Sequence, residues 1–586
     1  MGQPHRDTNE EIMRKLFYIA VAVTGLGACA GDQIVAPNLN NPDVARVLAR
    51  PADLESVIGN SFGSAYAGEL GGINTGGIEP AMLTMAFENS SSLANDALGP
   101  RGSIPRASIA NNSTDTYAGN NAYNYQASQR AARTAANGLV QLNLPNYTLG
   151  SKWQDYRARA FAFFAMGYAN ATVAMAYDSL SIVTERDTIG SPPTKFVGGV
   201  NAMPTILTQL DSAIADANAA IALGTAPSGA GGGLGFTLPG TWVNGNAFTA
   251  TQFIQMVRGF KARFRADVAR NPTDRAAVNW ALVIADAANA LPTDLNINMT
   301  VPAPWRVDDE QHYLFDTWAQ QSPMIIGMAD SVRAGCSAAN QGDPNTGNCY
   351  DAWLATSLGS RYGFLIQTAD QRFPQGATRA TQQNNSGAGT AQQPPRTNLY
   401  FRNRRSSDPS GDPWTLSQYD FYRFQLWNDA GRTGSYPILT RAELDLLAAE
   451  GYIKTGDFAN AMTMINKTRV SKGNLPPLTG ITSATQAIAV GVAANSCVPR
   501  VPASPDFAHA VCGNIFEAMK WEKRMETAYT HLGAWYLDSR GWGDLAQFTA
   551  LNWPVPYQET DVRGLKAWTT GGAGGKDSAP LGTYGY

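Results

Sequence analysis

The densest grouping of side chains able to move protons lies near the C-terminus, in Trp521-Glu522-Lys523-Arg524-Met525-Glu526 and Asp538-Ser539-Arg540. Glu522 and Glu526, four residues apart, share one helical face, and a glycoside hydrolase needs two carboxyl groups about 5–10 Å apart across a cleft. Against that reading, Arg524 and Arg540 alternate with Glu522, Glu526 and Asp538, the composition of an ion-pair network that clamps helices together. Nothing nearby has the character of a nucleophile or a metal ligand, so the structural reading is preferred and no catalytic residue is assigned. The four histidines, His5, His312, His509 and His531, are too scattered for a metal site or a Ser/His/Asp site, and no HExxH occurs. Gly231-Gly232-Gly233-Leu234-Gly235 has no strand before it. Gly571-Gly572-Ala573-Gly574-Gly575-Lys576-Asp577 imitates a phosphate loop, but Thr570 replaces the first glycine and Asp577 the Ser/Thr, so it reads as flexible tail. No metal and no cofactor are expected.

The second chemistry is binding. Trp305, Tyr313, Trp318, Tyr350, Trp353, Trp414, Tyr419 and Trp427 all fall in a stretch without regular periodicity. A sugar ring has an apolar C–H face, which a flat aromatic covers, and a hydroxyl rim, which Asn, Asp, Gln and Arg satisfy. Trp305, Trp318 and Trp353 are the leading candidates, with Tyr313 and Tyr350 beside them. Any one of these rings could instead anchor a loop. Trp414, Tyr419, Tyr422 and Trp427 lie close to the next helical segment and read as core.

The elements that must position these residues are helices. The 586-residue chain has net charge −3, only 16% charged residues and no basic stripe, which argues against a nucleic-acid partner. Helical spacing is found in Leu54, Val57, Ile58 and Phe62, with Asp53 as N-cap. It recurs from Tyr125 to Leu142, then from Trp153 to Tyr177, where Tyr156, Phe161, Phe164 and Tyr168 alternate with Ala and Gly that permit close helix approach. Met203 to Leu223, Phe253 to Ala269 and Arg275 to Ala290 continue the series. Residues 68–119 are looser. Residues 292–437 are rich in Gly, Pro, Asn, Gln and aromatics, and a loop that long has functional work unless it is disordered; the polar part, 375–397, reads as mobile. Order returns with Leu444, Leu447, Ala448 and Tyr452, turns at Thr455-Gly456-Asp457, and resumes with Phe458, Ala461, Met464 and Ile465. This spacing is that of a tetratricopeptide helix hairpin, and Phe253–Ala290 is a weaker instance. No alternation supports a large sheet.

At the other end, Arg14-Lys15 precedes a short apolar run that ends in Leu26-Gly27-Ala28-Cys29. A basic region, an apolar region and small residues make a secretory signal, and the cysteine at the cut adds a lipid anchor. Leu16 to Gly27 is shorter than the about 20 residues of a spanning helix. Residues 1–12 contribute nothing to the signal, so Met13 is the expected start. With Cys29 acylated, the remaining cysteines form two local couples, Cys336 with Cys349 and Cys497 with Cys512. Export permits disulfides; four cysteines allow three connectivities, local pairing is the expected one, and no CxxC spacing supports zinc instead.

Two C-terminal blocks resemble the SusD/RagB-like nutrient-binding outer-membrane lipoproteins. One is Tyr436-Pro437-Ile438-Leu439-Thr440-Arg441-Ala442-Glu443 with Leu447-Ala448-Ala449-Glu450 and Ile465-Asn466-Lys467-Thr468-Arg469. The other is Ile515-Phe516-Glu517, Trp521 to Glu526, and Trp535-Tyr536-Leu537-Asp538-Ser539-Arg540-Gly541-Trp542-Gly543. The pattern departs at Met525 and at Thr530-His531-Leu532-Gly533, where the family usually has Glu-Gly-His/Arg. Trp153 to Thr184 matches more weakly, its end motif being Ala176-Tyr177-Asp178-Ser179-Leu180-Ser181-Ile182-Val183-Thr184-Glu185.

The resemblance implies a mainly α, SusD-like fold, a tetratricopeptide-type helix-pair scaffold with a large loop-rich ligand-binding region. It also implies an oligosaccharide or peptide ligand, a SusC-like TonB-dependent transporter as partner, and lipid attachment to the outer membrane facing outward. Because relatives use N-terminal loops around the ligand, it adds Asn95 and Asp96 as polar candidates. The chain then divides into a signal peptide (1–28), a tether (29–50), an N-terminal helical scaffold with early loops (51–291), the aromatic loop-rich region (292–437), C-terminal tetratricopeptide-like helices (438–545) and a tail (546–586). An extracellular glycoside hydrolase and a purely structural helical-repeat surface protein remain the rival readings.

Overall fold

A computed structural model describes residues 48–70, 77–91, 97–187, 194–226, 235–300, 305, 320–331, 350–358, 364–385, 399–403, 419–488 and 497–586. Its packed elements belong to the unit Pro51–Tyr586. Cys29 and the tether as far as residue 47 lie outside the described residues, as do Cys336 and Cys349.

The chain is mainly α. Two short helices open it, α1 (Pro51–Gly59) and α2 (Ser61–Leu70). Pro51 starts α1, and Asp53 lies inside its first turn rather than capping it; proline suits that place because its missing N–H would be unpaired there anyway. Then come α3 (Ala118–Leu142), α4 (Lys152–Ala176), α5 (Gly199–Ala222), α6 (Ala250–Asp267) and α7 (Trp280–Ala288). The C-terminal half supplies α8 (Arg441–Thr455), α9 (Phe458–Ser471), α10 (Ile515–Thr527) and α11 (Ala534–Trp542). Helices α3 to α10 pack each against the next in chain order, giving four helix pairs. A short helix, Pro272–Ala276, sits between α6 and α7, so the expected second hairpin is interrupted, although its two arms touch.

Side chains write the boundaries. The Ser151 hydroxyl accepts from the N–H of Gln154 at the head of α4, and Thr249 and Gln252 form a reciprocal capping box at α6. Thr440 and Asp457 cap α8 and α9 in the same manner. Between those two, Gly456 stands at φ 81°, a left-handed exit that only glycine adopts without cost. Within α4 a Cβ on Gly167 would lie 2.9 Å from Leu210 Cδ2, so the glycine sets how closely α5 approaches.

The aromatic face of α4 builds the core of this half. Phe161, Phe164 and Tyr168 pack with Phe62 of α2 and with Phe253, Phe260 and Phe264 of α6, at ring-centroid distances from 5.0 to 6.4 Å. A second core joins Leu446, Ala449 and Ile453 of α8 to Ile465 of α9 and Ile515 and Met519 of α10.

The strands described are short and form four two-stranded sheets: β1 (Ser179–Leu180) with β2 (Val197–Gly198), β3 (Leu295–Met299) with β6 (Gly434–Leu439), β4 (Phe401–Asn403) with β5 (Tyr419–Phe421), and β7 (Arg500–Pro502) with β8 (Ala510–Cys512). The antiparallel β3–β6 ribbon matters most, because it pins together the two ends of residues 300–433 directly beside the α7–α8 pair. The whole irregular region thus leaves and re-enters the scaffold at one place. Cys497 and Cys512 are disulfide-bonded across the base of β8, 15 residues apart.

Two regions expected to be loose are packed where they are described. In the polar stretch 375–397, Arg379–Asn385 is helical, and the Gln382 amide is buried, donating to the carbonyls of Ile366 and Gly376 and accepting from Tyr419. The C-terminal residues after 546 also fold back. Ile109 and Thr570 form a bridge, the Gly571 N–H bonds the Lys576 carbonyl, and the Tyr586 hydroxyl donates to the Met324 carbonyl. Tyr584 and Tyr586 are buried, and burying such rings outweighs the entropy of ordering a glycine-rich turn.

Candidate functional site

Helix α10 carries Lys520, Glu522, Lys523, Arg524 and Glu526, and every one of them is buried. A buried charge is tolerated only when paired and hydrogen-bonded. Arg372 supplies the partner for one face. Its guanidinium takes Asp370 at 2.7 Å and both oxygens of Glu522 at 2.8 and 2.9 Å, and lies 3.5 Å from Glu526. Glu526 also accepts from the Tyr400 hydroxyl at 2.9 Å, and Arg423 stands 3.4 Å away. On the other side Lys520 and Arg524 converge on Asp544 at 3.0 and 2.5 Å. Lys523 reaches Asp538 at 2.7 Å, and Arg275 bridges Glu450, Asp538 and Asp267.

The grouping that could have been catalytic is therefore an internal clamp joining α8, α10, α11 and the irregular region. One member behaves differently from expectation. Arg540 donates to the backbone carbonyls of Ala269, Asp267 and Leu551 rather than to a carboxylate, filling the acceptors left unpaired at the end of α6. Arg372 and Asp370 escaped sequence reasoning, since a lone Asp370-Gln371-Arg372 in an irregular stretch carries no periodic signal.

Asp267, Glu443 and His531 bring ligand atoms within 4.8 Å of one another, the kind of group that could hold a metal. The electrostatics do not fit one. Arg263 forks onto both oxygens of Glu443 at 2.6 Å, while Arg275 and Lys523 stand 3.1 and 3.8 Å from Asp267. Burial and the neighbouring Arg263 push the His531 imidazole down to about 4, so it stays neutral. Of the two carboxylates that share Lys523 and Arg275, burial lifts Asp538 and those cations hold Asp267 down. Cations already fill the place a metal would take.

His531 belongs to the Tyr529–Gly533 turn, where this sequence departs from the family pattern. Three glutamates from the N-terminal segments receive its backbone N–H groups: Glu88 from Tyr529 at 2.8 Å, Glu69 from Leu532 at 3.2 Å and Glu79 from Gly533 at 3.3 Å. Glu69 also accepts from the Tyr168 hydroxyl. Gly533 sits at φ 48°, and a Cβ there would meet Met82 Sδ at 2.5 Å. Burial pushes the Glu88 carboxyl up to about 8, with the nearby Glu79 adding to the rise. An isolated glutamate among apolar neighbours, as in Phe87-Glu88 and Gly68-Glu69-Leu70, was the signal available for these acids.

The same turn holds the entrance of the loop-rich region. The Tyr529 hydroxyl accepts from Gln321 at 2.8 Å and from Asn89 at 3.3 Å, and donates to the Glu88 carbonyl. Ser90 and Gln320 pair as an antiparallel bridge, with N···O distances of 2.7 and 3.0 Å. Ser90 precedes Asn95 and Asp96 in sequence, and Gln320 follows Trp318. Asn95, Asp96, Tyr313, Trp318 and Trp414 themselves lie outside the described residues.

The candidates that are described stand inside the protein. Trp305 packs on Phe62 and Tyr66 of α2, 5.9 and 6.1 Å away, and is 9% exposed. Trp353 stacks on Tyr350 at 5.8 Å, both 1% exposed, and the Tyr350 hydroxyl donates to the Met324 carbonyl. In this structure these three rings offer no open face to a sugar. Tyr350 and Trp353 stand on the short helix Tyr350–Ala355 and dock it onto the protein, and Trp305 packs its segment onto α2. Tyr419, Tyr422 and Trp427 are core, as their position beside the C-terminal helices implied.

No protein-family description matches the chain, and no curated protein does. Solved structures do. A SusD superfamily protein from Bacteroides vulgatus is matched at 12% identity over 88% of this chain and 90% of the other, with a TM-score of 0.46. A SusD homolog from Parabacteroides distasonis is matched at 11% identity, 83% and 84% coverage and a TM-score of 0.49. A SusD-like carbohydrate binding protein from Bacteroides vulgatus is matched at 13% identity, 74% and 78% coverage and a TM-score of 0.35. The matched proteins are SusD-like. The superfamily to which these solved structures belong is the one that the two C-terminal sequence blocks resemble. Among the described residues, no helix is long and apolar enough to cross a membrane.

Proposed function

We propose that this protein is a SusD-like binding lipoprotein, anchored through Cys29 to the outer face of the outer membrane. It captures an oligosaccharide and passes it to a SusC-like TonB-dependent transporter without chemical change. The observation that carries the reading is the fate of the second sequence block. Its acids and bases are spent on an internal clamp, and that clamp supports the turn to which the Ser90–Gln320 bridge is tied. Spending the charged residues on rigidity suits a receptor, whose affinity depends on preorganised loops, better than a hydrolase, which must leave a carboxylate pair facing its substrate. Trp318 with Asn95 and Asp96 are the binding residues of this proposal, since they adjoin the bridged pair in sequence. Trp305, Trp353 and Tyr350, being buried, serve this reading as anchors rather than as ligand contacts.

The test is a glycan array probed with the parent and with Trp318→Ala, alongside an assay for reducing ends. The expected result is one bound glycan class, at least tenfold weaker binding by the variant, and no new reducing ends. Release of reducing ends, or an array without a bound glycan, would overturn the proposal. Mass spectrometry of the mature N-terminus should find Cys29 acylated.

A further inference from the structure

Two bulky residues, one on each side of a single junction, adopt a backbone conformation that L side chains avoid. Phe87 has φ 60° and Tyr529 has φ 58°. Phe87 forms the exit of the short helix Glu79–Met85, after which the N–H groups of Glu88 and Asn89 both turn back to the Leu83 carbonyl. Glycine is the usual occupant of such a left-handed exit. A large aromatic keeps this conformation only where its surroundings over-determine it, and strain of this kind gathers at switch regions.

Those surroundings come from both sides of the junction. Tyr529 donates its N–H to the Glu88 carboxyl at 2.8 Å and its hydroxyl to the Glu88 carbonyl at 3.3 Å, while its own carbonyl accepts from Tyr436. Its hydroxyl receives Gln321 at 2.8 Å, and its ring lies 5.0 Å from Phe421. Phe87 meets Tyr586 edge-on at 5.3 Å. Glu88 thus grips Tyr529 through side chain and backbone together, two residues before Ser90 joins Gln320.

The Glu88 carboxyl is fully buried, and its second oxygen has no hydrogen-bond partner. Among the described residues no lysine, arginine or histidine pairs with it. The charged groups that face it are acids, Glu79 from the short helix and Asp538 from α11, and Asp420 adds the same sign at Tyr529. Arg106, the cation beside Phe87, directs its donors at the carbonyls of Arg101 and Met85. An anion here would have acids for neighbours and no countercharge. Such a group must keep its proton or reach water. Burial accordingly lifts the carboxyl to about 8, although the N–H groups of Tyr529 and Trp535 oppose the rise.

We propose that this junction is a spring latch, closed while Glu88 carries a proton, and that losing the proton frees residues 87–90 and 320–321 from the Tyr529 turn while the helices stay folded. On release, Phe87 and Tyr529 relax out of the left-handed conformation, and the two segments joined by the bridge separate. The device concerns the mouth of the loop-rich region and stands whichever ligand that region takes.

The test is hydrogen exchange of the full chain, read by mass spectrometry from pH 5 to pH 9 with and without 1 M urea. Peptides containing Ser90 and Gln320 are compared with peptides from α4 and α6, and protection is taken relative to unstructured peptide at the same pH. Protection at Ser90 and Gln320 should fall about tenfold per pH unit up to pH 8 and then level off, because the open form loses its proton at an ordinary carboxyl value. Urea should leave it unchanged, since a local opening exposes little surface, while exchange in α4 and α6 speeds up. In Glu88→Gln the pH slope at Ser90 and Gln320 should vanish. Tyr529→Phe, which keeps the ring and loses the hydroxyl, should lower protection there at least tenfold at every pH and keep the slope. Protection in the parent that does not change between pH 5 and pH 8 overturns the proposal, and so does an equal slope in parent and Glu88→Gln. Exchange at Ser90 and Gln320 that follows urea as steeply as the helices also overturns it, because the junction then opens only when the whole protein unfolds.

Discussion

Glu88 makes the stability of this protein fall with rising pH in a predictable window. Its carboxyl is buried, raised from an ordinary 4.5 to about 8, and bound through one oxygen to the Tyr529 N–H, while the other oxygen is enclosed without a partner. Between those two values the unfolded chain has lost the proton and the folded protein keeps it. Folding then takes up one proton, and stability drops by about 1.4 kcal/mol per pH unit. The contribution is whole below pH 4.5, declines through neutrality and is gone above pH 8, a total of about 5 kcal/mol. Glu88→Gln keeps the acceptor for Tyr529 and has no proton to lose. The difference in urea-unfolding free energy between parent and Glu88→Gln, measured from pH 4.5 to pH 9, should therefore move by several kcal/mol in favour of the variant. At pH 7 the relative gain should be about 3 kcal/mol. Because titrating groups that do not face Glu88 act equally on both proteins, the difference reports Glu88 together with its coupling to Glu79. Parallel stability curves for the two would refute the assignment of a protonated, buried carboxyl at this turn.

Three further outcomes test the scaffold. Arg372→Leu leaves Asp370 and Glu522 buried without their principal cation and should destabilise the protein by about 3–5 kcal/mol, read by urea midpoint. Arg186→Gln, which breaks a pair whose arginine side chain is 89% exposed, should change it by less than about 1 kcal/mol. Replacing Cys497 and Cys512 together by serine opens a 15-residue loop and should cost about 3 kcal/mol by the loop-closure argument; a midpoint that does not move under oxidising conditions would contradict that account.

Local signals spoke for the helices and for little else. The α8–α9 hairpin could be read because Leu444, Leu447 and Ala448 repeat at the helical period, Gly456 supplies the left-handed turn, and Asp457 caps the second helix; each of these acts within a few residues of itself. The aromatic face of α4 was visible for the same reason. The charged block in α10 showed its composition but not its purpose. Whether Glu522 and Glu526 meet water or a cation depends on Arg372, 150 residues away, which arrives through an irregular stretch. Trp305 and Trp353 have the composition of a sugar platform, yet packing against Phe62 and Tyr350 turned them inward, since an apolar ring gains more from a core than from water. Gly571–Lys576 reads as slack by content and is held by partners from distant segments. The amino-acid order thus fixes what is decided by neighbours along the helix or the turn. What a charge, a tryptophan or a glycine does here was settled by contacts between segments far apart in the chain, and one-dimensional spacing carries no record of those distances.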